Sequence, residues 1–148
     1  MTTDTGNAAE EQAIRAIMAD AADAIRAKDV DRCFAAWASD VRSFDVIDPL
    51  RFTGLETVKE RLAAWFSGFD GPVGYETRDL TITAGAEVAF CHALNQVSAT
   101  RTDGSPLDMW WRATTCFRKV DGAWTITHAH SSVPMNIESG QASVGLKP

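Results

Sequence analysis

The sequence predicts an α+β domain in which three helices from its N-terminal half cover the concave face of a curved antiparallel sheet. Apolar residues recur at helical spacing in three segments before residue 68, whereas the rest alternates in character and carries two Asp-Gly hairpin signals. With 148 residues, of which 45% are hydrophobic, the chain can bury one sizeable core. We therefore expect a single domain over residues 1–136, followed by a small-residue tail over residues 137–148.

Apolar spacing and suitable N-terminal residues predict the first two helices. Residues 8–27 form the first helix, with Asn7 and Glu10 spaced as in a capping box. Asp29 suits the N-cap of the second helix. The apolar face of that second helix comprises Val30, Cys33, Phe34 and Trp37. Both helices therefore present one apolar stripe to a core.

The third helix lies in "TGLETVKERLAAWFSGF", where Thr53 and Glu56 again have capping-box spacing and Gly68 ends the helix. The preceding segment "VRSFDVI", residues 41–47, alternates like a strand until Pro49 limits it. Four more strands are predicted at residues 74–84, 87–101, 107–120 and 123–133. Asp-Gly pairs join the last three of them, which predicts an antiparallel meander.

Charge and composition exclude several classes of partner. The formal net charge is −6 and the 14 Lys and Arg residues are scattered, which argues against nucleic acid and anionic membrane surfaces. No apolar run reaches the ~20 residues of a membrane span, and the N-terminus lacks a secretion-signal pattern, so we expect a cytoplasmic protein. Cys33, Cys91 and Cys116 lie in apolar stretches without a C-x-x-C pair, which is typical of buried, reduced thiols.

Two segments carry a resemblance that covers nearly the whole chain, from the first helix to Val133. "FDVIDPLRFTGLETVKERL" is similar to the strand, turn and helix of SnoaL-like and ketosteroid isomerase-like proteins. "FRKVDGAWTITHAHSSVP" is similar to their final hairpin, and its Gly-x-Trp and His-x-His pattern resembles the association domain of calmodulin-dependent kinase. The resemblance implies the cone-shaped, cystatin-like fold of the nuclear transport factor 2-like superfamily. That architecture carries enzymes, binding modules and scaffolds.

The resemblance to ketosteroid isomerase implies a carboxylate general base near the end of the first strand. Asp45 matches by its distance from the preceding turn and from Gly54, whereas Asp48 matches because a proline follows it. We favour Asp45 as the catalytic residue and keep Asp48 as the alternative. A carboxylate in an apolar cleft can take a proton from carbon and hand it back.

The chain departs from the isomerase pattern at both positions that would bind the substrate's oxygen. The first helix contains no Tyr, and Thr114 or Thr115 occupies the place of the isomerase's second acid. A threonine hydroxyl is a weaker, uncharged donor. Steroid isomerisation by the isomerase's own mechanism is therefore not expected.

Strand alternation, together with the resemblance, indicates which side chains face a cavity. Asn95, Thr115 and Ser131 fall on the inward face and would orient a substrate's oxygen. The apolar lining would come from Trp37, Val58, Trp65 and Trp111. Such a lining suits a small, partly apolar carbonyl compound. We therefore expect a cofactor-independent isomerase, cyclase or lyase related to ketosteroid isomerase, or alternatively a non-catalytic module for ligand binding or dimerisation.

The segment "HAHSSVP", residues 128–134, has a different expected role. Alternation places Thr125 and Thr127 inward, whereas His128 and His130 share the convex face with Trp124 and Ile126. The other apolar residues expected on that face are Phe90, Leu94 and Trp110. Such a face is too apolar to remain in water, which predicts a homodimer.

Metal and nucleotide cofactors are not expected. His128 and His130, with His92 on a neighbouring strand, have no carboxylate or thiolate at a matching position. No glycine-rich phosphate loop precedes a helix. The expected partner is therefore a small molecule alone, apart from a second copy of the chain.

Overall fold

The computed structural model describes residues 5–148 and shows three helices packed on one face of a curved six-stranded sheet. In chain order the elements are α1 (Thr5–Arg26), α2 (Val30–Cys33), β1 (Trp37–Phe44), β2 (Phe52–Thr53), α3 (Leu55–Ser67), β3 (Phe69–Ala84), β4 (Val88–Arg101), β5 (Pro106–Val120) and β6 (Ala123–Ser132). The strand order is β2-β1-β6-β5-β4-β3. All neighbours are antiparallel except β1 and β6, which run parallel. The α+β fold class is confirmed.

The last four strands form an antiparallel meander, of which the Asp-Gly pairs predict the part from β4 to β6. A two-residue turn of Asp121 and Gly122 joins β5 to β6, with φ values of 50° and 80°. Positive φ at both central residues is the hairpin geometry that Asp-Gly favours. The short strand β2 was not predicted from the sequence, because two residues carry too little periodic signal.

The predicted capping box at the start of α1 is wrong. The helix begins at Thr5, which places Asn7 inside its first turn. The Glu10 carboxylate instead accepts hydrogen bonds from the Lys119 ammonium and the Trp124 indole, which lower its pKa. These bonds tie α1 to the β5–β6 hairpin. Among residues 5–148, no helix is long and apolar enough to cross a membrane.

Of the predicted N-caps of the other two helices, the one of α2 is confirmed and the one of α3 is wrong. Asp29 is confirmed as the N-cap of α2, since its Oδ1 accepts from the Arg32 backbone N–H at 3.1 Å. The cap of α3 is Gly54, at φ 91°, and no side chain bonds the helix N-terminus there. The Thr53 capping box is therefore wrong, because the chain enters α3 through a conformation that suits glycine. Gly68 ends α3 as predicted.

Strand β1 begins and ends earlier than the alternation predicts. Trp37 opens this strand rather than closing the face of α2, and its ring packs edge-on against Phe34 with centroids 4.8 Å apart. The strand ends at Phe44, so Asp45 comes directly after it. Asp45 therefore lies where the chain leaves the sheet.

A β-bulge in β6 changes which of its side chains face the helices. Cys116 on β5 is opposite His128, but the next residue, Phe117, is opposite Ile126. Thr127 is therefore the extra residue that has no partner on β5. Because a strand alternates with period two, one extra residue reverses the faces on either side of it.

This bulge overturns the predicted placement of Trp124 and Ile126 on the convex face. They are 6% and 3% exposed and belong to a core cluster with Ile14 of α1. Thr125 and Thr127 were predicted to face inward, but both are only half-buried and neither belongs to that core cluster. Uniform alternation fails because the bulge interrupts it.

The tail after β6 folds back on itself. Met135 forms a bridge with Ala142, and the Asn136 side chain accepts from the Ser139 backbone N–H at 2.9 Å. Further on, Lys147 Nζ lies 3.7 Å from Asp108 Oδ2. These contacts hold the tail close to the domain without adding a helix or a long strand within the described residues.

The inward orientation of Trp124 predicts a large difference between two aromatic truncations. Trp124→Ala should lower the free energy of unfolding by about 3–5 kcal/mol, since it removes a buried side chain and leaves a cavity. Phe90→Ala, on the convex side of β4 at 45% exposure, should cost below about 1 kcal/mol. Urea unfolding of both variants measures this, and equal losses would contradict the placement.

Candidate functional site

A cavity of about 280 Å³ lies between the helices and the concave face of the sheet. This volume is near the lower end of the range for pockets that hold small organic molecules. Its helical wall comprises Met18, Ala21, Ile25, Cys33, Phe34, Val58, Leu62 and Trp65. The cavity is therefore walled mainly by apolar side chains.

Small side chains on the sheet create the open space. Two cross-strand rows contribute to the floor, one with Ala113 and Ser131 and the other with Thr115, Ala129 and Ser43. Ala129 and Ser131 lie beyond the bulge and line the cavity, as the alternation predicts for that part of β6. Before the bulge, Trp124 and Ile126 pack into a core cluster, and Ile126 also borders the cavity. The bulge thus separates a filled part of the concave face from an open part.

The predicted apolar lining residues all contact the cavity. Trp37, Val58, Trp65 and Trp111 are among its lining residues. The Trp65 ring is held edge-on by Phe69, with centroids 5.0 Å apart. The aromatic rings limit the volume of the cavity, so a compact ligand fits it best.

Neutral polar groups occupy the wall formed by β3, β4 and β5. Asn95 and Thr115, both predicted as substrate-binding residues, are buried there and line the cavity. The Asn95 Oδ1 accepts from the Thr77 hydroxyl at 3.1 Å. Within residues 5–148 no hydrogen bond is made by Asn95 Nδ2, so its NH₂ remains a donor for a ligand.

Tyr75 is a lining residue that the sequence reasoning missed. Its ring lies 6.0 Å from that of Trp111, centroid to centroid, and burial raises its pKa well above the ordinary value of a phenol. The Tyr75 hydroxyl is therefore a neutral group. Pairing of Thr77 with Asn95 puts Tyr75, two residues earlier, on the same face, which is a signal that alternation could have used.

Asp45 and Arg61 meet at the side of the cavity formed by β1 and α3. Asp45 Oδ1 accepts from the Val46 backbone N–H at 2.7 Å, and Asp45 Oδ2 lies 3.5 Å from Arg61 Nε. The two side chains are 27% and 23% exposed. Of the described residues that line the cavity, these two alone carry charged side chains.

Arg61 is the second residue that the sequence reasoning missed. Its Nε is buried without a hydrogen-bond partner, and no other N–H of its guanidinium donates to a residue within the described range 5–148. Arg61 follows Val58 by three positions and precedes Trp65 by four. That spacing places it on the cavity-facing side of α3, although a charged residue on an amphipathic helix is ordinarily assigned to solvent.

Strand order places the polar groups at different distances from Asp45. Ser131 directly follows His130, which is opposite Phe44, the residue before Asp45. Ser131 is therefore about one strand spacing away, roughly 5 Å between backbones. Thr115 on β5 is two spacings away and Asn95 on β4 is three, roughly 14 Å along a flat sheet and less on a curved one.

The structure places Asp48 outside the cavity. It is exposed in the loop after β1 and lines a shallow outer groove with Ile47, Leu50 and His130, and this groove shares only Asp45 and Val46 with the cavity lining. Only Asp45 of the two candidate bases contacts the cavity.

His128 and His130 lie on the convex side, as predicted, and form an aromatic group with Phe44. The two imidazoles are 4.7 and 5.4 Å from the Phe44 ring, centroid to centroid. His128 Nδ1 lies 2.7 Å from the Arg42 carbonyl oxygen. In the described part of the chain, no three His, Cys, Asp or Glu side chains are arranged to hold a metal ion.

The fold and the cavity together define a class, the cone-shaped pocket domains in which helices close one side of a curved sheet. Residues 14–136 match the family model described as a SnoaL-like domain, and the chain belongs to that family. A search of curated proteins found no match.

Solved structures agree with this assignment. A nuclear transport factor 2-like protein of unknown function from Pseudomonas putida is 30% identical, with a TM-score of 0.86 over 95% of this chain and 98% of that one. A ketosteroid isomerase-like protein from Erwinia carotovora is 18% identical, with a TM-score of 0.70 over 83% and 95%. A nuclear transport factor 2-like superfamily protein from Salmonella enterica is 15% identical, with a TM-score of 0.76 over 90% and 96%. The latter two show likeness of fold alone.

The buried thiols predict slow alkylation of the native protein. Burial raises the pKa of Cys33 and of Cys91 to about 11, so only a small fraction is thiolate at pH 8. Native iodoacetamide labelling of both should be slower by about two orders of magnitude than in urea, where an ordinary thiol pKa of about 8.5 applies. Peptide mass spectrometry gives the rates, and native rates equal to those in urea would contradict this burial.

Proposed function

We propose that the cavity binds a small, mostly apolar carbonyl compound and that Asp45 transfers a proton at the carbon next to the carbonyl. The observation that carries the proposal is the position of Asp45, the one carboxylate among the described residues that line the cavity. The apolar walls suit the hydrocarbon part of such a compound. The reaction needs no cofactor, since the carboxylate both removes and returns the proton.

The proton transfer conserves the total charge of the site. A carboxylate oxygen of Asp45 forms a bond to the proton, and the electrons of the broken C–H bond move into a new C=C bond. The carbonyl electron pair moves to oxygen and gives an enolate. Asp45-H then returns the proton to the same or another carbon, which completes an isomerisation. Departure of a leaving group from the enolate would make the same step a lyase reaction, and its attack on a second carbonyl carbon would make it a cyclisation.

The other polar residues have supporting roles in this proposal. Ser131, about one strand spacing from Asp45, donates to the reacting end of the substrate. Asn95 and Thr115, on the distant wall, bind a second polar group of the substrate if it has one. Trp37, Trp65, Trp111 and Val58 enclose the apolar part.

A non-catalytic ligand-binding module is the second candidate. The observation that favours it is the engagement of both Asp45 oxygens, one with the Val46 backbone N–H and the other facing Arg61. In that case the role of the Asp45 carboxylate is to hold the Arg61 side chain in place, and it transfers no proton. The isotope experiment that follows separates the two functions.

Deuterium exchange into 2-tetralone, a neutral apolar ketone with acidic hydrogens beside its carbonyl, tests the proposal. The wild-type protein should accelerate exchange in D₂O, and Asp45→Asn should reduce that acceleration at least ~100-fold, the usual contribution of a general base. Asp48→Asn is the matched control and should exchange like wild type, since Asp48 is outside the cavity. Exchange is followed by mass spectrometry. Equal rates in wild type and Asp45→Asn would leave the binding module as the function.

The convex face of the sheet is proposed as the contact with a second copy of the chain. Phe44 is exposed there beside His128 and His130, and Phe90 is exposed in the same cross-strand row as His128, two strands away with Cys116 between them. The burial of Trp124 excludes it from this face. The three free cysteines are compatible with the reducing cytoplasm, whether the protein is a monomer or a dimer. Sedimentation velocity should give a dimer for wild type and a monomer for Phe90→Glu. A wild-type monomer at micromolar concentration would disprove the contact.

A further inference from the structure

We infer that Arg61 binds the substrate's carbonyl oxygen and stabilises the negative charge that develops on it, an inference that rests on the proposed proton transfer. Arg61 would then be a second catalytic residue, on α3, opposite the base that follows β1. The ligand class is accordingly a neutral carbonyl compound and not a carboxylic acid.

The N–H donors of Arg61 have no hydrogen-bond acceptor among the described residues. The Arg61 side chain is about three-quarters buried and its Nε is fully buried, yet within residues 5–148 none of its N–H groups donates a hydrogen bond. A buried donor without a partner is costly, of order 1–3 kcal/mol. Natural structures rarely retain such a group unless something else satisfies it, and here the group lines a cavity.

Asn95 and Thr115, the buried polar donors of the opposite wall, are far from Asp45. When a base removes a proton beside a carbonyl, the oxygen is only about two bonds from the reacting carbon, so its donor must be near the base. Asn95 and Thr115 are three and two strand spacings from Asp45. Arg61 Nε is 3.5 Å from Asp45 Oδ2. The Ser131 hydroxyl, one strand spacing from Asp45, is the nearer neutral donor, and Arg61 is the one cationic donor among the described lining residues that can reach the reacting oxygen.

Charge balance sets the substrate class. Asp45 and Arg61 together are neutral before the reaction, and they become neutral acid and guanidinium beside an enolate after it. The positive charge thus has a counter-charge at every stage. An acidic substrate would add a second anion to an apolar cavity that holds one cation, which is unfavourable.

The geometry of the guanidinium allows this exchange of partners. The contact with Asp45 is made by Nε, and the two Nη atoms donate no hydrogen bond within residues 5–148, so they remain donors for a ligand. A planar guanidinium can donate from both edges at once. This arrangement also replaces the Tyr and second acid that the chain lacks at the isomerase-like positions.

Binding of 4-nitrophenol tests the inference without turnover. Its phenolate mimics an enolate, and ionisation of the bound phenol is visible in its absorption spectrum. Asp45→Asn mimics the site after proton removal, when the base is neutral. In this background the bound probe should be more ionised than free probe at the same pH. Asp45→Asn/Arg61→Met should bind phenolate about 10–100-fold more weakly, the loss expected for a hydrogen bond to a charged group.

Two further variants keep the result interpretable. Asp45→Asn/Arg51→Met removes an arginine of the shallow outer groove and should bind phenolate like Asp45→Asn. Asp45→Asn/Arg61→Lys keeps the charge, should retain part of the affinity, and replaces the Met variant if that protein does not fold by circular dichroism.

The outcomes separate this inference from the proposed function. Phenolate binding that is unchanged by Arg61→Met, or no phenolate binding to Asp45→Asn at millimolar probe, overturns the role of Arg61 even if Asp45-dependent exchange into 2-tetralone is observed. Arg61-dependent phenolate binding without any exchange in wild type retains Arg61 as the oxyanion contact and overturns the proton transfer.

Discussion

The one-residue bulge at Thr127 is the constraint on which the site depends. Before it, Trp124 and Ile126 point into the core and pack with α1, and Glu10 bonds the Trp124 indole. After it, the inward positions carry small residues such as Ala129 and Ser131, which leave the cavity open. Because side chains alternate with period two, the same strand supplies packed core at one end and ligand surface at the other.

The Asp45–Arg61 pair makes one side of the cavity charged, so the two ends of a bound ligand are in different environments. Asp45 and Arg61 are on different elements, a strand exit and a helix, and they meet only because α3 packs across β1. Their contact at 3.5 Å is too long to satisfy Arg61 Nε, so the guanidinium keeps its capacity to bind oxygen. Neutral polar groups, Asn95, Thr115 and Tyr75, lie on the distant wall of a mainly apolar cavity. A ligand would therefore have one preferred reacting end.

The sequence predicted the architecture well because its strongest signals are local or periodic. The meander followed from Asp121-Gly122 and from long alternating strands, whereas the inward positions of Asn95 and Thr115 needed the alternation together with the family resemblance. The placement of Trp124 failed because a bulge depends on pairing between strands, which single-strand periodicity does not contain.

Non-local pairing also explains what the sequence reasoning missed at the site. Arg61 reads as a solvated position on an amphipathic helix until α3 is packed against Asp45. Glu10 has the spacing of a local cap, yet its partners are more than 100 residues away. Local rules assign such polar groups to solvent or to helix ends, whereas tertiary packing decides their partners.

A crystal structure of Asp45→Asn with bound 4-nitrophenolate tests the central claim most directly. The expected placement has the phenolate oxygen within about 3 Å of an Arg61 Nη atom and beside the side chain of residue 45, with the ring against Trp65 or Trp111. A phenolate oxygen bound instead by Asn95 or Thr115, with the Arg61 guanidinium making no contact to the ligand, would contradict it.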